Sequence, residues 1–88
     1  MNAIKLGTIE ETAKAMAREL NVGCNITDHY GVSDKTIYLL RSVKTREICI
    51  MDAITKEMIG KPIDGSVCAG QYFKTTEMIT KLLKANLG

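Results

Sequence analysis

Residues 36–40, Thr-Ile-Tyr-Leu-Leu, constrain the fold of this 88-residue chain more than any other segment, because they fit two secondary structures. Thr, Ile and Tyr favour β structure, and as a strand the segment belongs to a small α+β domain. As a helix that begins after Ser33, the same residues place Ile37 and Leu40 on one buried side. The two interpretations lead to different proteins.

The residues before the segment favour the helix. Gly31 can adopt the positive φ that a tight turn between two helices needs, and Ser33 can cap the helix that follows. Asn25 can cap a short helix that ends at Gly31. Because propensity is a weak prior, these flanking signals decide for a helix over 33–42.

A packing argument points the same way. If 36–42 paired with 46–52 in a hairpin, both faces of the sheet would carry apolar side chains. The second face would then hold Tyr38, Leu40, Cys49 and Met51. Two helices in a chain of this length usually cover only one sheet face. A homodimer across the uncovered face would resolve the conflict, so the strand stays as the alternative.

Three other elements follow from local patterns. An amphipathic helix is predicted over 9–21, with Thr8 and Glu11 in a capping-box pattern. A β-hairpin is predicted around the polar turn 54–57. A last amphipathic helix begins near Thr75.

Composition limits the class of protein. The chain is 45% apolar and 25% charged, as is ordinary for a single compact domain over 1–88. We divide it into a half at 1–46 with the tight turn and a half at 47–88 with the hairpin and C-terminal helices. The longest apolar run, 48–51, is too short to span a membrane, and the N-terminus lacks a signal-peptide core, so a cytoplasmic protein is expected.

The sequence holds no pattern typical of an enzyme, a metal site or a cofactor site. Cys24, Cys49 and Cys68 are widely spaced and His29 is the sole histidine, so neither zinc nor a disulfide framework is expected. Gly-rich phosphate loops and nucleophile elbows are absent. We therefore predict a non-enzymatic protein without cofactor or metal.

Residues 25–42 resemble the helix-turn-helix of bacterial and phage DNA-binding regulators; their sequence is NITDHYGVSDKTIYLLRS. The resemblance rests on Gly31 at the turn, Ser33 after it, and Ile37 and Leu40 as the buried pair of the second helix. It implies a mainly α fold with the β-hairpin as a candidate wing. It also implies a small regulator or mobile-element accessory factor that binds double-stranded DNA as a dimer.

The same resemblance assigns the DNA contacts. Positive charge is concentrated over 33–46, where four basic side chains accompany one acidic one. The residues implied to face the major groove or the phosphates are Ser33, Asp34, Lys35, Tyr38, Leu39, Arg41, Lys44 and Arg46.

The C-terminal half is similar to the modular DNA-binding repeats of intron-encoded endonucleases, which join a β-hairpin to a helix-turn-helix. The similarity rests on the hairpin residues and on Ser66, Ala69, Ile79 and Leu82. It implies a second helix-turn-helix at 66–86. Alternatively, the same segment is a helix that closes the core or forms a dimer interface.

The rival interpretation is an α-β-β-β-α protein-interaction module with a three-stranded antiparallel sheet. It would bind a partner, or a second copy, through the apolar sheet face. That order of elements is also similar to double-stranded-RNA-binding domains, although the basic cluster at the start of their last helix is missing here. The two interpretations differ on whether 36–40 is helix or strand.

Overall fold

A computed structural model of the chain describes residues 5–21, 29–42, 44–65 and 70–87. Their elements, in chain order, are β1 (Lys5–Leu6), α1 (Ile9–Asn21), β2 (Tyr30–Val32), β3 (Lys35–Arg41), β4 (Glu47–Asp52), β5 (Ile63–Asp64) and α2 (Tyr72–Leu87). The two helices pack together on one face of the sheet. The fold is α+β, and the α+β alternative fits it better than the mainly α prediction.

The sheet follows chain order from β1 to β5. The pairs β2–β3, β3–β4 and β4–β5 are antiparallel, and β1 lies parallel to β2 at the edge. The longest pairing joins β3 to β4, with Leu39 opposite Ile50 and Leu40 opposite Cys49. Side chains of successive strand residues therefore alternate between the helix-covered face and the other face.

The prediction of a helix over 33–42 is wrong, because Lys35–Arg41 is strand β3. Ser33 and Asp34 have φ of 49° and 65° and form the two-residue turn of a β2–β3 hairpin, as in type I′ turns. Ser33 therefore caps no helix. The β-branched and aromatic residues of 36–40 pair with β4, and this tertiary pairing overrides the turn signals around Gly31.

The remaining parts of the two helix-turn-helix assignments have different outcomes. Residues 25–28, most of the expected first helix, lie outside the described residues, and Tyr30 already belongs to β2. In the C-terminal half, 66–69 are also outside the described residues. The second helix-turn-helix expected at 66–86 would need a turn between two helices, but α2 runs as one helix over Tyr72–Leu87.

Helix α1 has the bounds and the cap that the sequence predicts. The Thr8 N–H donates to Glu11 Oε1 at 3.0 Å, and the Glu11 N–H donates to Thr8 Oγ1 at 3.1 Å. This reciprocal pair satisfies two backbone donors at the helix start. The Glu11 carboxylate accepts from the Thr8 N–H, and hydrogen bonding to the backbone and then to the side chain of Thr8 lowers the pKa of Glu11.

One hydrophobic core lies between the helices and the sheet. Helix α2 contributes Ile79 and Leu83, both fully buried, so it closes the core as the alternative for 66–86 expected. The other buried members are Ala13, Met16, Leu20, Tyr30, Val32, Ile37, Leu39, Ile48, Ile50, Ile59 and Ile63. Neither described helix has the length and apolar character needed to cross a bilayer.

The turn between β3 and β4 spans 42–47. The Arg46 N–H donates to the Ser42 carbonyl at 2.9 Å, and the Ser42 N–H donates to the Glu47 carbonyl at 2.9 Å. The Thr45 N–H donates to Ser42 Oγ, and Arg46 has a positive φ of 61°. Among the described residues of this turn, Arg46 is the one in the left-handed region, and the turn contains no glycine.

The turn after β4 repeats this geometry ten residues later. The Lys56 N–H donates to the Asp52 carbonyl and the Asp52 N–H to the Glu57 carbonyl, both at 2.9 Å. The Thr55 N–H donates to Asp52 Oδ1 at 3.0 Å, and Lys56 has a φ of 65°. The polar turn predicted at 54–57 is therefore confirmed, and it fixes where Lys56 leaves the sheet.

Candidate interaction surface

No described element packs on the sheet face that lies opposite the helices, and we call this the open face. The strand register places a group of apolar side chains at its centre: Tyr38 opposite Met51, Leu40 opposite Cys49, and Met58 opposite Met51. Leu40 is 39% exposed and Met58 is 42% exposed, while the other three are half-buried. The result is a continuous apolar surface across β3, β4 and the adjoining residue Met58.

Tyr38 lies at the centre of the open face. Its hydroxyl donates to the Met51 sulfur at 3.7 Å. The His29 ring lies against it with centroids 5.4 Å apart, and the Lys56 ammonium lies 5.4 Å from its ring centroid. A cation at this distance is attracted to the aromatic face, so the turn residue Lys56 is drawn over the sheet.

The opposite end of the open face carries two carboxylates, next to the basic residues of the β3–β4 turn. Glu47 at the start of β4 is the direct partner of Asp64 on β5, and both are exposed. Glu47 shares its face with Cys49, two residues on. Burial, and after it the charge of Glu47, raise the pKa of the Cys49 thiol. The thiol is therefore protonated at neutral pH and behaves as a small apolar group.

The residues predicted to bind DNA do not share one surface. Ser33 and Asp34 form the β2–β3 turn, and the Lys35 ammonium lies 3.4 Å from an Asp52 carboxylate oxygen. Leu39 is fully buried and cannot contact a ligand. Tyr38 lies on the open face.

The three remaining predicted residues lie together around the β3–β4 turn. Arg41 ends β3, and Lys44 and Arg46 are exposed within the turn. Arg41 lies six residue steps along the strand from Lys35, which places their backbones about 20 Å apart at the usual rise. The basic charge of 33–46 is thus divided between the two ends of β3.

The described residues offer little other site chemistry. Among them, no three His, Cys, Asp or Glu side chains gather in a way that could hold a metal ion. Asp52, whose pKa is lowered by hydrogen bonds from the 54–55 backbone and then by Lys35, stabilises its own turn. Comparisons with models of protein families, with curated proteins and with solved structures found no match.

Sequence reasoning placed the centre of the open face under the strand alternative but missed its surroundings. His29, Lys56 and Met58 reach Tyr38 and Met51 only through turns whose shape was not predicted. One signal could have found those turns. The pattern Ser/Asp-x-x-Thr-Arg/Lys-Glu occurs twice, at 42–47 and 52–57, and both copies make the same hydrogen bonds.

Proposed function

We propose that this chain is a non-enzymatic interaction module that assembles with a second copy through the open face. The observation that carries the proposal is the uncovered apolar surface of β3, β4 and the adjoining Met58, where Leu40 and Met58 are exposed. Two copies placed face to face would form a sandwich of sheets about 10 Å apart, with each apolar centre covering the other.

The area of the open face determines how tight a dimer to expect. A standard interface buries about 800 Å² per partner, roughly one seventh of the 5513 Å² surface of this chain. Even three segments about 4.8 Å apart and five residues long would cover only roughly 240 Å², and the apolar surface of β3, β4 and Met58 is no larger than that. The rim must therefore contribute, and we expect a weak, reversible dimer at the low end of the interface size range.

Sedimentation velocity from about 10 μM to 1 mM tests the proposal, because a weak dimer shows a concentration-dependent mass. Tyr38→Asp places a charge at the centre of the open face and should give monomers throughout. Phe73→Asp is the matched control: it makes the same change at an aromatic residue that is 84% exposed on α2. It should leave the assembly unchanged.

Two results would overturn the proposal. One is a monomer of the unaltered chain at every concentration. The other is a dimer that Phe73→Asp abolishes and Tyr38→Asp spares, since this result would put the contact on α2. Far-UV circular dichroism of each variant confirms that it is folded.

DNA binding is the second candidate function, and the grouping of Arg41, Lys44 and Arg46 around one turn favours it. A basic turn can bind phosphates without a recognition helix. Titration of duplex DNA at several salt concentrations tests this candidate. Three phosphate contacts predict a log–log slope of about −2.7, and no binding at low salt would remove the candidate. Roles as a regulator or a mobile-element factor depend on this result.

A further inference from the structure

We infer that the proposed dimer is sensitive to pH and that His29 is its sensor, because protonation of this imidazole opposes the contact between the two copies. The inference rests on the proposed dimer and adds its regulation. The position of His29 against Tyr38, with Lys56 at the same ring, carries it.

His29 is the only histidine in the chain. It directly precedes β2, it is half-buried, and its ring centroid lies 5.4 Å from that of Tyr38, with 35° between the ring planes. Imidazole is the side-chain group that ordinarily gains or loses its charge between pH 5 and 8. The one group of this kind in the chain therefore lies beside the centre of the surface that a second copy would cover.

A positive charge is already present at this part of the open face. The Lys56 ammonium lies 5.4 Å from the centroid of the Tyr38 ring. Between pH 5 and 8 a phenol is uncharged and an ammonium is charged. Among the described residues, the ring contact with Tyr38 is the interaction that His29 makes. Protonation of His29 therefore places a second cation against the same ring.

The described carboxylates on the neighbouring strand and turn lie elsewhere. Asp52 and Glu57, which close the turn that carries Lys56, line a groove that the end of α2 also lines, and Asp52 is buried there on the helix-covered side. Glu47 lies four residues before Met51 along β4, about 13 Å at the usual rise. None of these three carboxylates is an ion-pair partner of the imidazole.

The sign of the effect follows from burial. A neutral imidazole has an apolar body that packs on Tyr38, and a second copy can cover it. A protonated His29 loses water when it is covered, and removing an unpaired charge from water is unfavourable. It also lies beside Lys56, and like charges at an interface oppose association. The attraction of the imidazolium to the Tyr38 ring operates in the free chain as well, so it does not favour the dimer. The dimer thus binds fewer protons than two free chains, and lowering the pH shifts the equilibrium towards the free chains.

Sedimentation velocity at about pH 7.5 and about pH 5.5 tests the inference. The dissociation constant of the unaltered dimer should rise about tenfold at the lower pH. His29→Gln keeps a planar polar side chain that does not titrate, so its dissociation constant should be the same at both pH values. His29→Lys carries the charge throughout and should dimerise weakly at both.

The matched control moves the histidine to α2. His29→Gln combined with Phe73→His keeps one imidazole in the chain, at a position whose native side chain is 84% exposed and lies away from the open face. Its dissociation constant should not depend on pH. Far-UV circular dichroism at both pH values confirms that each variant is folded.

The outcomes separate the inference from the proposal beneath it. Weaker association at low pH that His29→Gln abolishes, and that His29→Lys reproduces at high pH, supports His29 as the sensor. Association that is equal or tighter at low pH overturns the sensor but leaves the dimer. A pH dependence that persists in His29→Gln or in the α2 control has the same consequence. An unaltered chain that dimerises at neither pH overturns both.

Discussion

Truncating Leu39 and Leu40 separately would test the face that each occupies. Leu39 is fully buried on the helix-covered side, whereas Leu40 is 39% exposed on the open face. The helical interpretation assigns them the opposite way, with Leu40 buried and Leu39 facing DNA. Because the residues are adjacent and identical, the two alanine variants differ only in the environment that they probe.

The free energy of unfolding lost on truncation should differ between the two sites. A fully buried Leu→Ala change costs about 2.7–5 kcal/mol, since it removes apolar contact and leaves a cavity. Leu40 lies at an open surface where no cavity can form, so its truncation should cost roughly 1 kcal/mol or less in the monomer. A difference of about 2 kcal/mol corresponds to roughly 8–16 °C in Tm for a domain of this size.

Urea unfolding followed by far-UV circular dichroism measures both costs. The protein must be dilute enough to be monomeric, so that lost assembly at Leu40 does not add to the result. An m value that stays constant shows that both variants unfold like the parent chain. If Leu40→Ala costs as much as Leu39→Ala or more, the faces are exchanged, as in a helix or a strand shifted by one residue. The open face would then not exist as described.

Other predictions concern the turns and the thiol. Arg46→Gly should raise the free energy of unfolding by roughly 0.5–1 kcal/mol, because glycine adopts a φ of 61° without strain. Lys44→Gly, at a residue without a positive φ, should lower it; equal effects would contradict the turn geometry. Hydrogen bonds from the following turn, and then a lysine, lower the pKa of Asp52. The stability that they give is complete above the usual aspartate pKa of about 4 and is lost as the pH falls through the lowered value. Asp52→Asn should therefore flatten the acid limb of stability measured by urea unfolding, and an unchanged limb would contradict this role. With the other cysteines replaced by serine, Cys49 should react slowly with iodoacetamide at a pH of about 8. Glu47→Gln should speed the reaction in dilute protein, because it removes a charge that raises the thiol pKa.

Elements fixed by neighbours in sequence could be predicted. The cap of α1 joins Thr8 to Glu11, three residues apart, and the polar turn at 54–57 closes through hydrogen bonds spanning at most five residues. In both cases the hydrogen-bonding groups that form the cap or the turn lie within one short stretch of sequence. No knowledge of the distant chain was needed.

The segment 36–40 could not be decided in this way. Gly31 and Ser33 are turn formers before a helix and before a strand alike, so the flanking residues favoured the wrong element. The deciding partner is β4, whose residues lie 7 to 15 positions along the chain from their partners in β3. Its pairing places alternate side chains of β3 on the two faces of the sheet. The contacts of His29 and Lys56 with Tyr38 depend on this pairing as well, so the sequence alone did not predict them.

The sheet face that the helices leave uncovered bears on function. Two helices do cover only one face, and the described chain leaves the second face in water. A threonine at Leu40 would suit β3 as well and would expose less apolar surface than leucine does, so strand formation alone does not require leucine there. The proposed dimer would bury this side chain against the open face of the partner.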